Sequence, residues 1–149
     1  GIPLEVKGKG ALVKDLGRWR IISDSVGLCT FTSGDVPREL IARLLTDITG
    51  NPWSIGAMEE AADRVLCLER LFNCREGVTR KDDILPDRLH EEPLKEGMAK
   101  GQVVKQEELK LMKDEYYSAL GWDMATGVPS KELLKKLGLD WSGSGWNFI

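Results

Sequence analysis

Residues 54–76 read SIGAMEEAADRVLCLERLFNCRE, and this stretch decides the fold. Ser54 offers a side-chain oxygen where a helix would start. Ile55, Met58, Ala62, Val65, Leu66, Leu71 and Phe72 follow at helical spacing and mark one broad apolar face. Arg70 and Arg75 load the last turns with the charge that a helix dipole favours there. Gly77 supplies the natural stop. The pattern predicts a helix over 54–76.

The flanks repeat the same grammar. Upstream, 33–50 predicts a helix with Ser33 or Asp35 as cap, Pro37 in the first turn and Gly50 past the end. Its stripe is Leu40, Ile41, Leu44, Leu45 and Ile48. Residues 9–22 predict another, with Leu12, Val13, Leu16, Trp19, Ile21 and Ile22 apolar. It ends near Asp24 with Gly27 as breaker, and Gly17 weakens it by about 1 kcal/mol relative to alanine. Downstream, 107–120 carries Leu109, Met112, Tyr116 and Leu120 on one face. A short helix at about 130–137 follows Ser130. Between them, 77–105 holds Pro86, Pro93, Gly77, Gly97, Gly101 and dense charge, which predicts a long irregular loop. The class is all-α: an irregular helical domain of about five helices with that loop at 77–105. The domain runs over 1–139, with a tail at 140–149.

Composition narrows the function. The chain has 149 residues, 42% hydrophobic, 30% charged and net −3 at neutral pH, which fits one soluble domain. No basic stripe points to nucleic acid. No apolar run is long enough to span a membrane, and there is no signal-peptide pattern. Gly1 in place of a methionine suggests an excised piece. Cys29, Cys67 and Cys74 form an odd set without CxxC spacing, which argues against a disulfide framework and a self-contained zinc site. Cys67 and Cys74 lie roughly 10 Å apart along a helix, too far to bridge. A reducing cytoplasm is the simplest location.

One local constellation looks built for chemistry: Asp24-Ser25-Val26-Gly27-Leu28-Cys29, where a helix gives way to a loop. Asp24 offers a carboxylate, Gly27 permits close backbone approach, and Cys29 is a thiol able to ligate iron. The plainer alternative makes Asp24 a helix-end residue, Gly27 a breaker and Cys29 a buried small hydrophobe. His90, beside Glu91 and Glu92, reads as an exposed loop residue. Arg80-Lys81-Asp82-Asp83 reads as a solvated, self-neutralising turn. A zinc set of Cys67, Cys74 and His90 has a spacing that matches no ligand pattern. With one histidine, no Ser/His/Asp set can be assembled, and no residue is assigned as catalytic.

Two long stretches carry a resemblance. ISDSVGLCTF at 22–31 and LERLFNCREGVTRKDDILPDRL at 68–89, continuing to Val104, resemble the C-terminal domain of the tungsten-containing aldehyde:ferredoxin oxidoreductase family. EYYSALGWD at 115–123 and GVPSKELLKKLGL ending at 139 extend it, so it covers roughly 8–139. The resemblance implies an enzyme that oxidises aldehydes to carboxylic acids and passes electrons to ferredoxin. The implied cofactors are tungsten, or molybdenum, held by two pterins, and a 4Fe-4S cluster. The family's D-x-x-G-L-C motif falls on Asp24, Gly27, Leu28 and Cys29. Carried over, Cys29 is the fourth cluster ligand and touches the pterin, Asp24 binds the pterin edge, and the backbones of Leu28 and Thr30 complete the wall. The family's three-cysteine run and its substrate-handling residues have no counterpart here. The implied partners are therefore the N-terminal and middle domains of the same enzyme, with ferredoxin and the aldehyde beyond them. The chain alone is expected to carry no cofactor and no activity. Arg80 to Asp83 and Asn73 to Arg75 belong to the family pattern and are expected to fix the long loop against the helix. The competing function is a free-standing helical protein-interaction domain without redox chemistry. Under the family assignment, the 24–29 turn should be exposed on an open, unusually apolar face.

Overall fold

The computed structural model describes residues 5–140, so the tail from residue 141 onward lies outside the described residues. The elements are α1 (Lys9–Ser25), α2 (Thr30–Ser33), α3 (Arg38–Thr49), α4 (Ile55–Arg75), a 3-10 turn at Arg80–Asp82, α5 (Arg88–Glu91), α6 (Gln106–Leu120) and α7 (Lys131–Lys136). Among the described residues there is no strand, only an isolated bridge between Trp122 and Pro129. The fold is all-α, and each of the five predicted helices is present.

Two boundaries differ from expectation. The helix predicted over 33–50 begins only at Arg38. Pro37 is its N-cap, with φ −58° and ψ 135°, and no side chain caps it. Ser33 instead closes the short α2. The segment 77–105 is less irregular than its composition suggests, because it holds the 3-10 turn and α5. Thr79 caps that turn reciprocally with Asp82.

α4 is the spine. Ser54 accepts from the Ala57 N–H at 3.1 Å, as the sequence predicts. At the far end Gly77 adopts φ 92°. Its N–H donates to Cys74 and the Val78 N–H donates to Asn73, both at 3.0 Å, which closes the helix in a left-handed stop. Along its length α4 serves two cores. Met58 and Ala62 pack with Ile22, Ile41 and Ala42. Cys67 and Leu71 pack with Leu134, Leu137 and Leu139. A third cluster of Tyr117, Leu120 and Trp122 lies against Leu66. α1 is tied to α4 by Arg18, which donates to Asp63 at 2.7 Å and to Glu59 at 3.0 Å.

α1 and α6 approach very closely and run the same way past each other. The Glu115 carboxylate accepts from the Gly8 N–H at 2.9 Å and the Gly10 N–H at 3.3 Å, placing negative charge at the N-terminus of α1. Further along, Lys14 donates to the Ala119 carbonyl. A Cβ on Gly10 would sit 2.4 Å from the Tyr116 nitrogen, whereas one on Gly17 would meet nothing within 4 Å. The same substitution on one helix should therefore have opposite signs. In urea unfolding followed by circular dichroism, Gly10→Ala is expected to destabilise by about 1–3 kcal/mol through overpacking. Gly17→Ala should stabilise by up to about 1 kcal/mol through helix propensity.

Candidate functional site

The last turn of α1 builds the first site. Val26 ends the helix and Gly27 takes φ 77°. The Gly27 N–H donates to Asp24 at 3.3 Å, and the Leu28 N–H reaches back to Ser23 at 2.9 Å. These two bonds are the paired bonds of a Schellman motif, with Leu28 folding its side chain onto the core that contains Ile22. The left-handed φ explains the glycine without any ligand. It also fixes where the next residue goes.

That residue is Cys29, and it is exposed. The expectation of a buried small hydrophobe fails there. Cys29 starts α2 with extended backbone, and its carbonyl accepts from both the N–H and the hydroxyl of Thr32 at 3.0 Å. The carbonyl is thus engaged by the first turn of α2 and the thiol is left at the surface. Next to it, Phe31 is 98% exposed. Asp24 is also exposed, and its carboxylate meets Arg20 at 3.0 Å one turn back. Such a surface pair contributes little to stability. The side chain of Thr30 lies outside the described residues. The turn from Asp24 to Cys29 therefore presents a carboxylate and a thiol from one rigid helix end.

Apolar side chains are exposed in the turn and along the two helices: Val26 in the turn, Leu12, Val13 and Leu16 further back on α1, and Leu40, Leu44 and Ile48 on α3. An open cleft of about 240 Å³ runs beside the turn, lined by Ser25 and Val26 together with Ile22, Leu45, Trp53 and Val65.

A second constellation joins the 79–86 segment to α4 and α6. Arg70 is not a dipole-matching surface charge but is 7% exposed. It grips Asp83 with two hydrogen bonds, of 3.0 and 2.9 Å, and donates to the Gly127 carbonyl at 2.8 Å. Its guanidinium lies 5.3 Å from the Trp122 ring centre. Tyr117 donates its hydroxyl to the same Asp83 carboxylate. Burial, followed by the hydrogen bond to Asp83 and then its charge, pushes the Tyr117 pKa up. Arg80 pairs with Asp114 at 2.5 Å and donates to Met124 at 2.8 Å. The run 80–83 is thus no solvated turn: Arg80 and Asp83 bolt the long segment to α4 and α6, the loop-fixing role that the family pattern implies. His90 is also corrected. It sits on α5, half-buried, with Nδ1 against the Val104 carbonyl, and closes the base of the loop. Among the described residues no group of three or more His, Cys, Asp or Glu could hold a metal ion, so Cys67, Cys74 and His90 do not converge. No helix there is long and apolar enough to cross a membrane.

Residues 2–139 match the family described as aldehyde ferredoxin oxidoreductase, domains 2 & 3. This chain belongs to the aldehyde ferredoxin oxidoreductase family. Curated relatives agree. The tungsten-containing aldehyde ferredoxin oxidoreductase of Pyrococcus abyssi is 38% identical over 118 residues, which is 78% of this chain and 19% of that protein. The protein of the same name from Pyrococcus horikoshii is 37% identical over 120 residues, 80% of this chain and 19% of its own length. The chain thus spans about a fifth of the relatives it matches. A solved structure, the active site complex BamBC of benzoyl coenzyme A reductase with 1,5-dienoyl-CoA, shares the fold. Its TM-score is 0.72 at 23% identity, over 95% of this chain and 21% of that one.

Within this oxidoreductase-family domain the three thiols differ sharply. Burial pushes the Cys67 pKa up to about 11, and burial also raises that of Cys74. With a maleimide at neutral pH, Cys29 should be alkylated first and Cys67 only on unfolding, read by peptide mass spectrometry. Because the Cys67 value is raised in the folded state, its contribution to stability is intact below the ordinary thiol range. It is lost as pH climbs toward 11. Urea midpoints should fall less steeply above pH 9 in Cys67→Ala than in the parent. Arg70→Met should cost about 2–3 kcal/mol by leaving the half-buried Asp83 carboxylate with only the Tyr117 hydroxyl of its present side-chain partners named above, and a second change, Asp83→Leu, should recover part of that loss.

Proposed function

We propose that this chain is the C-terminal helical domain of a tungsten-dependent aldehyde:ferredoxin oxidoreductase. Its 24–29 turn forms one wall of the pterin site and supplies one ligand to a 4Fe-4S cluster. The single observation that carries this is the exposure of Cys29 on a turn whose backbone bonds are already internally satisfied. A free thiol at an apolar surface has no packing role, and a small hydrophobe normally sits inside.

The donor set fits half of a site. One thiol is a single cluster ligand, so three more must come from polypeptide outside the turn. The Asp24 carboxylate is acceptor-only and suits the N–H groups along the edge of a flat pterin. Arg20, one turn earlier, holds that carboxylate outward until the edge arrives. Gly27 lets the backbone come close without a side chain between. The peptide groups of Leu28 and Thr30 line the rest of the wall. When bound, the metal and cluster supply the two-electron oxidation of an aldehyde to its acid and the relay to ferredoxin. This chain's part is to orient, to ligate and to exclude water. Catalytic side chains are expected on the other domains, and the isolated chain should be inactive. Three free thiols suit a reducing cytoplasm.

In the full-length protein, Cys29→Ala should change the electron paramagnetic resonance signal of the reduced cluster, or abolish it, while circular dichroism stays unchanged. A cluster signal identical to the parent's removes the ligand assignment. Asp24→Asn should lower pterin retention with little effect on helix content, since its carboxylate meets Arg20 in an exposed pair that contributes little to stability.

A further inference from the structure

The first core of this domain is unfinished, and the gap points to its partner. α3 is amphipathic along its whole length, but it is covered over only part of it. Ile41 is 4% exposed, Leu45 is partly buried, and Ile48, one turn further on the same side, is 78% exposed. Beside it the 240 Å³ cleft opens directly onto the core, so that Ile22, Met58 and Ala62 form its floor and Val65 its outer wall. A dry apolar cavity of about 150 Å³ accommodates a benzene-sized group, so this volume suits one or two large apolar side chains. Well-packed interiors rarely leave such openings, and monomers rarely expose apolar stripes beside them.

We propose that the cleft and the bare end of α3 are a socket for an apolar segment of the same enzyme, contributed from outside these 149 residues. Two observations select this occupant. The relatives are about five times longer than the stretch they share with this chain, so most of their polypeptide lies outside it. The socket also shares Ser25 and Val26 with the turn that ends at Cys29. The cleft and the Asp24–Cys29 turn therefore share a rim, so one neighbouring segment can reach both. The socket would hold the turn at a fixed angle to the neighbouring domain, which sets where the thiol points. The inference rests on reading the turn as half of a shared surface, and it goes further by naming the hydrophobic anchor of that surface.

The test uses the full-length enzyme. Ile48→Cys is compared with Met98→Cys, a 96% exposed position on the 77–105 segment. Maleimide labelling at Ile48→Cys should be more than fivefold slower than at Met98→Cys, with the difference erased in urea. Rates within fivefold of each other overturn the proposal. A benzophenone photocrosslinker at Val65 then identifies the cover. An adduct within one polypeptide, mapped to a peptide outside this chain, supports the socket. An adduct that doubles the mass on a denaturing gel, or none at all, overturns it. The Cys29→Ala cluster signal separates the two claims. Free labelling at Ile48→Cys with an altered cluster signal sinks only the socket. Protection there with an unaltered signal sinks only the ligand assignment.

Discussion

Everything on the α6 side of the molecule depends on where Arg70 puts its charge. A guanidinium taken out of water must find anions and carbonyls, or it costs several kcal/mol. Arg70 finds the Asp83 carboxylate, the Gly127 carbonyl and the faces of Tyr117 and Trp122. Those four groups lie on three segments remote in sequence. One buried charge thus holds the 79–86 segment, α6 and the 122–129 loop to the spine helix. Gly127 is part of the same constraint, since a Cβ there would sit 2.4 Å from the guanidinium.

The opposite end of α4 works by different physics. There the core is made of aliphatic contacts among Ile22, Ile41, Met58 and Ala62, and it is left open at one edge. The polar anchorage is at the margins, through Arg18 to Asp63 and Glu59 and through Arg38 to Asp15. The Arg38 guanidinium holds the Asp15 carboxyl below its ordinary range. The candidate site stands on this lobe. Its turn is nonetheless stiff, because the Schellman bonds to Ser23 and Asp24 set its direction and Ser23 is buried beneath it. A rigid turn on an incomplete lobe is what a shared site calls for: local geometry fixed in advance, and docking completed by a neighbour.

The helices were legible because their signals are local. Ser54, Gly50, Gly77 and Ser130 act where their positions predict, since caps and left-handed stops depend on a few consecutive residues. The start of α3 was missed because Pro37 allows more than one frame, and the 30–33 turn claimed Ser33. Cys29 was ambiguous from the residues alone, and the family resemblance pointed to the thiol before the exposure did. What sequence could not supply was long-range pairing. Arg70 looks like an ordinary charge in a last turn until Asp83 and Gly127 fold back on it. His90 looks like a loop residue until Val104 returns to it. The RKDD run carried a usable signal, since alternate charges at 80 and 83 can reach two different helices, but nothing local says which.

The account stands on Cys29 Sγ being a ligand of iron. The direct measurement is a crystal structure of the full-length enzyme with anomalous diffraction collected at the iron edge. Anomalous density for a cluster is expected at bonding distance from Cys29 Sγ, with the Asp24 carboxylate hydrogen-bonded to a pterin on the same side of the turn. Iron density remote from Cys29, with its thiol facing solvent or sealed among apolar side chains, would contradict it.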